Sequence, residues 1–104
     1  MPQPVEVAPV GYETVAASQT GQVLGGTGAK GDYVSHVLVI PATTSPGNVL
    51  LLDKATSITL FTGGAASVPS LIPFTIPIGA NSQGGPWSIT TGANVAVVAF
   101  GRFG

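Results

Sequence analysis

Cysteine is absent from this sequence, and charge is nearly so. Without a thiol there is no disulfide staple, thiolate metal ligand or cysteine nucleophile, a composition that suits synthesis in a reducing cytoplasm. Charged residues make up 7% of the 104-residue chain, against about 25% in an ordinary soluble domain. They are Glu6, Glu13, Lys30, Asp32, Asp53, Lys54 and Arg102, for a net charge of −1. No basic field exists to attract nucleic acid or anionic lipid, so neither is expected as a partner. Histidine occurs once, at His36. One histidine and four scattered carboxylates cannot assemble a transition-metal site, and no metal or other cofactor is expected. His36 alternates with Val34 and Leu38, the setting of a strand residue rather than of an oriented catalytic imidazole. The spacing of the carboxylates does not suggest a glycosidase pair. No catalytic residue is assigned, and the chain reads as a non-enzyme.

Long apolar runs are also missing. Mean hydropathy is positive, +0.49, yet apolar runs such as Val37–Ile40 and Val49–Leu52 fall far short of the roughly 20 residues of a membrane-spanning helix. The start, Met1-Pro-Gln-Pro-Val-Glu-Val-Ala-Pro9, has neither the basic nor the hydrophobic region of a secretory signal. An apolar chain with so few charges is expected to have much of its surface covered by partner chains; a monomer with Ser/Thr/Gly-rich faces is the alternative.

Helical stretches are lacking as well. Fifteen Gly and nine Pro punctuate the chain every few residues, which helices tolerate poorly. The segments between them are short and β-branched. Strands are expected over 12–17, 32–40, 49–52, 57–61 and 71–78, with a last pair, 87–90 and 94–100, joined across Thr91-Gly92-Ala93. Within 32–40, simple alternation puts Tyr33, Ser35, Val37 and Val39 on one face and Val34, His36, Leu38 and Ile40 on the other. The apolar 49–52 run suggests burial on both faces. Pro73 and Pro77 cannot donate to a ladder, so 71–78 reads as an edge strand or extended loop. The expected fold is all-β: a β-sandwich or jelly-roll-like single domain over 11–104, with a small closed barrel as the alternative. Residues 1–10, with prolines at 2, 4 and 9, form an extended Pro-rich N-terminal arm, either a tail or a strap across a neighbour.

Gly26-Thr-Gly28-Ala-Lys-Gly31 matches G-x-G-x-x-G to the letter. A dinucleotide site needs a helix after that motif, whereas a strand is expected here, and the Lys30-Gly31 pair also fails the phosphate-loop pattern. Lys30-Gly31-Asp32 resembles an integrin-type tripeptide by coincidence. Trp87 follows Gly84-Gly85-Pro86, as either a core residue or a sugar-stacking platform. Arg102, between Phe100 and Phe103, is either an interface residue or a solvated one near the chain end. Pro4, Val5, Val7, Tyr12, Trp87, Arg102 and Phe103 are the candidate interface residues.

Three stretches carry a family resemblance. They are Gly21-Gln-Val-Leu-Gly-Gly-Thr-Gly-Ala-Lys-Gly-Asp-Tyr-Val34, Leu38-Val-Ile-Pro-Ala-Thr-Thr-Ser-Pro-Gly47 and Trp87-Ser-Ile-Thr-Thr-Gly-Ala-Asn-Val-Ala-Val97. Over roughly residues 12–103 the chain resembles small structural proteins of tailed bacteriophages, of the capsid decoration (cement) or head-fibre type. That resemblance implies a β-sandwich or jelly-roll module, usually trimeric, seated on the capsid lattice. The expected function is a virion structural protein, assembled in the bacterial cytoplasm, that stabilises the head as a homo-oligomer. Its partners would be the major capsid protein or other virion proteins, and multivalency would hold each weakly bound copy in place. A receptor- or glycan-binding fibre module, with Trp87 and Tyr12 or Tyr33 stacking on sugar, is the alternative, followed by a minor tail or connector component.

Overall fold

The computed structural model describes residues 11–103. The N-terminal arm, with its candidates Pro4, Val5 and Val7, lies outside the described residues. Eight strands follow in order: β1 (Gly11–Val15), β2 (Gln22–Val23), β3 (Tyr33–Pro41), β4 (Val49–Asp53), β5 (Thr56–Phe61), β6 (Phe74–Asn81), β7 (Trp87–Thr91) and β8 (Val95–Arg102). No helix occurs among the described residues. The strands form two four-stranded sheets, ordered β1-β8-β3-β6 and β2-β7-β4-β5, and every pairing is antiparallel. The all-β sandwich expectation is met, and two separate ladders replace the closed barrel.

The core lies between the sheets and is built from alternate residues of the central strands. Val34, Val37 and Val39 of β3, Val95, Val97 and Ala99 of β8, Val49 and Leu51 of β4, and Trp87 and Ile89 of β7 are buried together. Most are β-branched, and such side chains lose little rotamer freedom in a strand. Buried polar groups are paired within the fold. Thr91 Oγ1 donates to the Ala16 carbonyl at 2.6 Å and accepts from Gln19 N–H at 3.0 Å. Ser82 Oγ donates to the Ala29 carbonyl at 3.2 Å.

Three local expectations are corrected. Simple alternation fails in β3, because a register shift between Val34 and His36 appears against both β6 and β8. The bulge turns Val34 inward with Val37 and Val39, and leaves His36, Leu38 and Ile40 half-exposed. Pro77 lies opposite His36; it has no N–H to give, which favours a ladder shift at this point. Second, β4 is buried on one face only, since Leu50 and Leu52 are half-exposed. Third, β7 and β8 do not form a hairpin. Thr91-Gly92-Ala93 leads from one sheet to the other, so β7 pairs with β2 and β4 while β8 pairs with β1 and β3. By contrast, β6 is an edge strand, which suits its Pro77, and Lys54-Ala55 closes a tight β4–β5 hairpin with Lys54 at φ 55°.

Candidate interaction site

The strand directions sort the loops, and with them the charges. The β2–β3, β4–β5 and β6–β7 connections and the end of β8 meet at one end of the sandwich, as the pairings Asp53 with Trp87 and Tyr33 with both Asn81 and Arg102 require. Among the described residues Lys30, Asp32, Asp53, Lys54 and Arg102 all lie at this end, and Glu13 is tied to it through Gly25. The opposite end gathers the β1–β2, β3–β4, β5–β6 and β7–β8 connections, residues 16–21, 42–48, 62–73 and 92–94. None of these residues is charged.

At the charged end the carboxylates hold loops in place. Glu13 accepts from Gln22 Nε2 and from Gly25 N–H, both at 2.8 Å, and so clamps β1 to the start of the β2–β3 loop. Asp32 Oδ2 accepts from Ala29 N–H at 2.9 Å. Asp53 accepts from the backbone N–H groups of Gln83, Gly84 and Gly85 at 2.9, 3.0 and 3.3 Å. Those bonds, Gln83 first and then Gly84, hold the Asp53 carboxyl below its ordinary value of 3.8, with desolvation opposing them and Lys30 adding to them. A depressed folded-state pKa gives stability that is present above the unfolded value and lost as pH falls through the folded one. An Asp53→Asn variant is therefore expected to have a lower urea midpoint at pH 7. The gap to wild type should close progressively as the pH is lowered below about 4. A gap of constant size from pH 7 to pH 2 would contradict this role.

Tyr12, Glu13, Asp32, Arg102 and Phe103 line an open depression floored by Gly11, Gly25 and Gly101. Three candidate interface residues thus come together here. Tyr12 is 70% exposed, and the Arg102 guanidinium stacks over the Tyr33 ring, 5.0 Å from its centroid. Phe103 packs partly against the core. Trp87 is not among them. It is 3% exposed, and its Nε1 donates to the Asp32 carbonyl at 2.8 Å. Its ring therefore fills the core of the described domain instead of offering a face for a sugar. The Gly26–Gly31 stretch is a loop running into β3, a strand, so no helix N-terminus meets its glycines.

The uncharged end is cross-braced through its backbone. Gly47 N–H donates to the Ala93 carbonyl and Gly92 N–H to the Asn48 carbonyl, both at 2.8 Å. Ser18 N–H reaches the Gly92 carbonyl at 2.9 Å, and Gly64 N–H the Pro46 carbonyl at 2.9 Å. Gly47 and Gly92 lie so close that a Cβ on either would come within 2.8 Å of the other's backbone. Side chains supply two more ties, Gly63 N–H to Asn48 Oδ1 at 2.8 Å and Ala66 N–H to Ser45 Oγ at 3.0 Å. On this platform Leu71 and Ile72 stand 51% and 73% exposed. Sequence reasoning passed over both as part of an expected strand. The signal available was that 55–79 holds no charge, so the loop within it had nothing to draw it into water.

No family model, curated protein or solved structure matches the chain. The phage resemblance therefore rests on the three quoted stretches, and the functional reading on the distribution of charge and apolar surface. Among the described residues no three His, Asp or Glu side chains come together as a metal site would require. The arrangement offers an exposed aromatic beside an arginine at one end and a braced, charge-free platform at the other.

Proposed function

We propose that this chain is a virion structural protein of a tailed phage, a capsid decoration or cement protein that binds the head lattice as a homo-oligomer. The observation that carries the reading is the segregation of charge. A surface without ions can be buried without desolvating any, and burying an unpaired charge is among the largest costs an interface can incur. The uncharged end, braced by short loops and tipped by Leu71 and Ile72, suits seating on a capsid surface. The strand order adds support. Two facing sheets of four antiparallel strands, ordered 1-8-3-6 and 2-7-4-5, are compatible with an eight-stranded jelly roll, an architecture that occurs in viral capsid domains among others. Chemistry plays no part in this mechanism: many weak contacts, repeated over a lattice, bridge neighbouring capsid subunits.

Replacing both Leu71 and Ile72 with serine tests the seating. Both side chains are mostly exposed, so the fold should be unchanged within about 0.5 kcal/mol. Saturable binding to heads that lack this protein should weaken at least tenfold. Binding at wild-type strength would move the contact away from this end. The glycan-binding alternative now leans on Tyr12 alone among its proposed platforms' exposed rings, beside Arg102 in the open depression. Retention on a glycan array that is lost in Tyr12→Ser, without binding to heads, would favour it.

A further inference from the structure

The outer face of the β1-β8-β3-β6 sheet is mostly apolar, and no element of the described residues packs over it. Cross-strand register builds it in rows: Tyr12, Phe100, His36 and Pro77; then Thr14, Val98, Leu38 and Thr75; then Ala96 and Ile40. The first row is a run of rings, with Tyr12 and Phe100 tilted at 6.2 Å and Phe100 and His36 stacked at 4.5 Å and 14°. The β3 and β8 side chains of these rows are half-exposed. On the other sheet the corresponding outward positions include Ser57, Thr59, Ser88 and Thr90 beside Leu50 and Leu52. The two outer faces of the sandwich are thus chemically unlike.

We propose that copies of this chain associate through the apolar face, each copy's face being buried by a neighbouring copy. The inference deepens the reading of a homo-oligomer by giving it a surface. Charge selects the occupant. Among the described residues Arg102 is the only Asp, Glu, Lys or Arg on the face; it sits at the end of β8, stacked on Tyr33, outside the three rows. A partner must then offer a comparable area without burying its own charges. A second copy does so, because its charges are gathered at one end. The size is consistent with self-association of limited strength. Four strands about 4.8 Å apart, over some six residues of about 3.4 Å each, give roughly 400 Å². Stable pairs bury about 800 Å² on each partner. Association should therefore be reversible and concentration-dependent instead of obligate.

Sedimentation velocity of the purified chain over about 1–500 µM, which spans about −8 to −4.5 kcal/mol of association free energy, tests this. Wild type should gain mass with concentration, and Val98→Glu, at the centre of the face, should stay monomeric. Tyr12→Ser, at an exposed position where the fold is safe, should move the transition to several-fold higher concentration even if Val98→Glu fails to fold. Thr90→Glu, on the opposite face, should match wild type. A wild-type monomer throughout the range, or an oligomer indifferent to both Val98→Glu and Tyr12→Ser, would overturn the proposal. If such a chain still saturates heads, the decoration reading survives without this interface. If instead Val98→Glu dissolves the oligomer but wild type never binds heads, the interface stands and the decoration reading falls.

Discussion

Replacing Trp87 with alanine is expected to destabilise the domain by about 3–5 kcal/mol, a large part of the roughly 5–15 kcal/mol that holds a domain of this size together. The indole is 3% exposed and lies in the cluster between the sheets. Among the described aromatic side chains it is the only buried one. Its removal opens a cavity among valines, which are short and stiff and cannot swing in to fill it. It also removes one of the two hydrogen bonds to the Asp32 carbonyl, which accepts from Trp87 Nε1 and from Ser82 N–H, both at 2.8 Å. Trp87→Phe should cost less, because it keeps most of the ring and loses the hydrogen bond. Urea unfolding with an unchanged slope checks both variants. A Trp87→Ala protein as stable as wild type would mean that the indole does not pack as described.

Gly101 should be nearly as sensitive, for a different reason. It lies in β8, between β1 and β3, paired with Gly11 on one side and Val34 on the other. A Cβ here would collide with the Tyr33 carbonyl oxygen and come within 2.9 Å of the Phe103 ring. The carbonyl belongs to the neighbouring strand and cannot turn aside as a side chain would. Gly101→Val is expected to cost about 3 kcal/mol, the upper range for overpacking. Gly11→Ala makes the control. Among the described residues a Cβ there meets only the Gly101 carbonyl oxygen, at 3.9 Å, so the effect should stay within about 0.5 kcal/mol. Equal tolerance at the two positions would contradict the close approach of β3 and β8.

Much of the fold was legible in the chain because short β-branched segments between Gly and Pro leave few alternatives. Pro73 and Pro77 made 71–78 an edge strand or an extended loop; the edge strand is β6, which starts at Phe74, and 71–73 belongs to the loop before it. Pairing was less legible. Trp87, Ile89 and Thr91 alternate inward, as do Val95, Val97 and Ala99, and two inward alternations joined by three residues look alike whether they share a sheet or face each other. What decides is long-range. Thr91 and Gly92 are held by Gln19 and Asn48, residues far away in sequence, and these carry the chain across. The Ser35 bulge was hidden for the same reason, since the shift is visible only against Pro77 and Phe100 on the neighbouring strands. The two-residue β2 was too short to leave a periodic signal.

The candidate surfaces were half legible. Tyr12, Arg102 and Phe103 stood out by type and position, and the fold brings them around one depression. Trp87 stood out by type alone, and its burial sends it to the core. The segregation of charge emerged only once the strands were laid antiparallel, which brings Lys30, Asp53 and Arg102 to one end across more than seventy residues of chain.

The central claim is that this chain is a repeated part of a phage head. The most direct measurement is its copy number in purified virions, by quantitative mass spectrometry against the major capsid protein. Copies in the hundreds, in fixed ratio to the capsid subunit, are the expected result. A dozen or fewer would make it a fibre, tail or connector component, and its absence from the particle would contradict the claim outright.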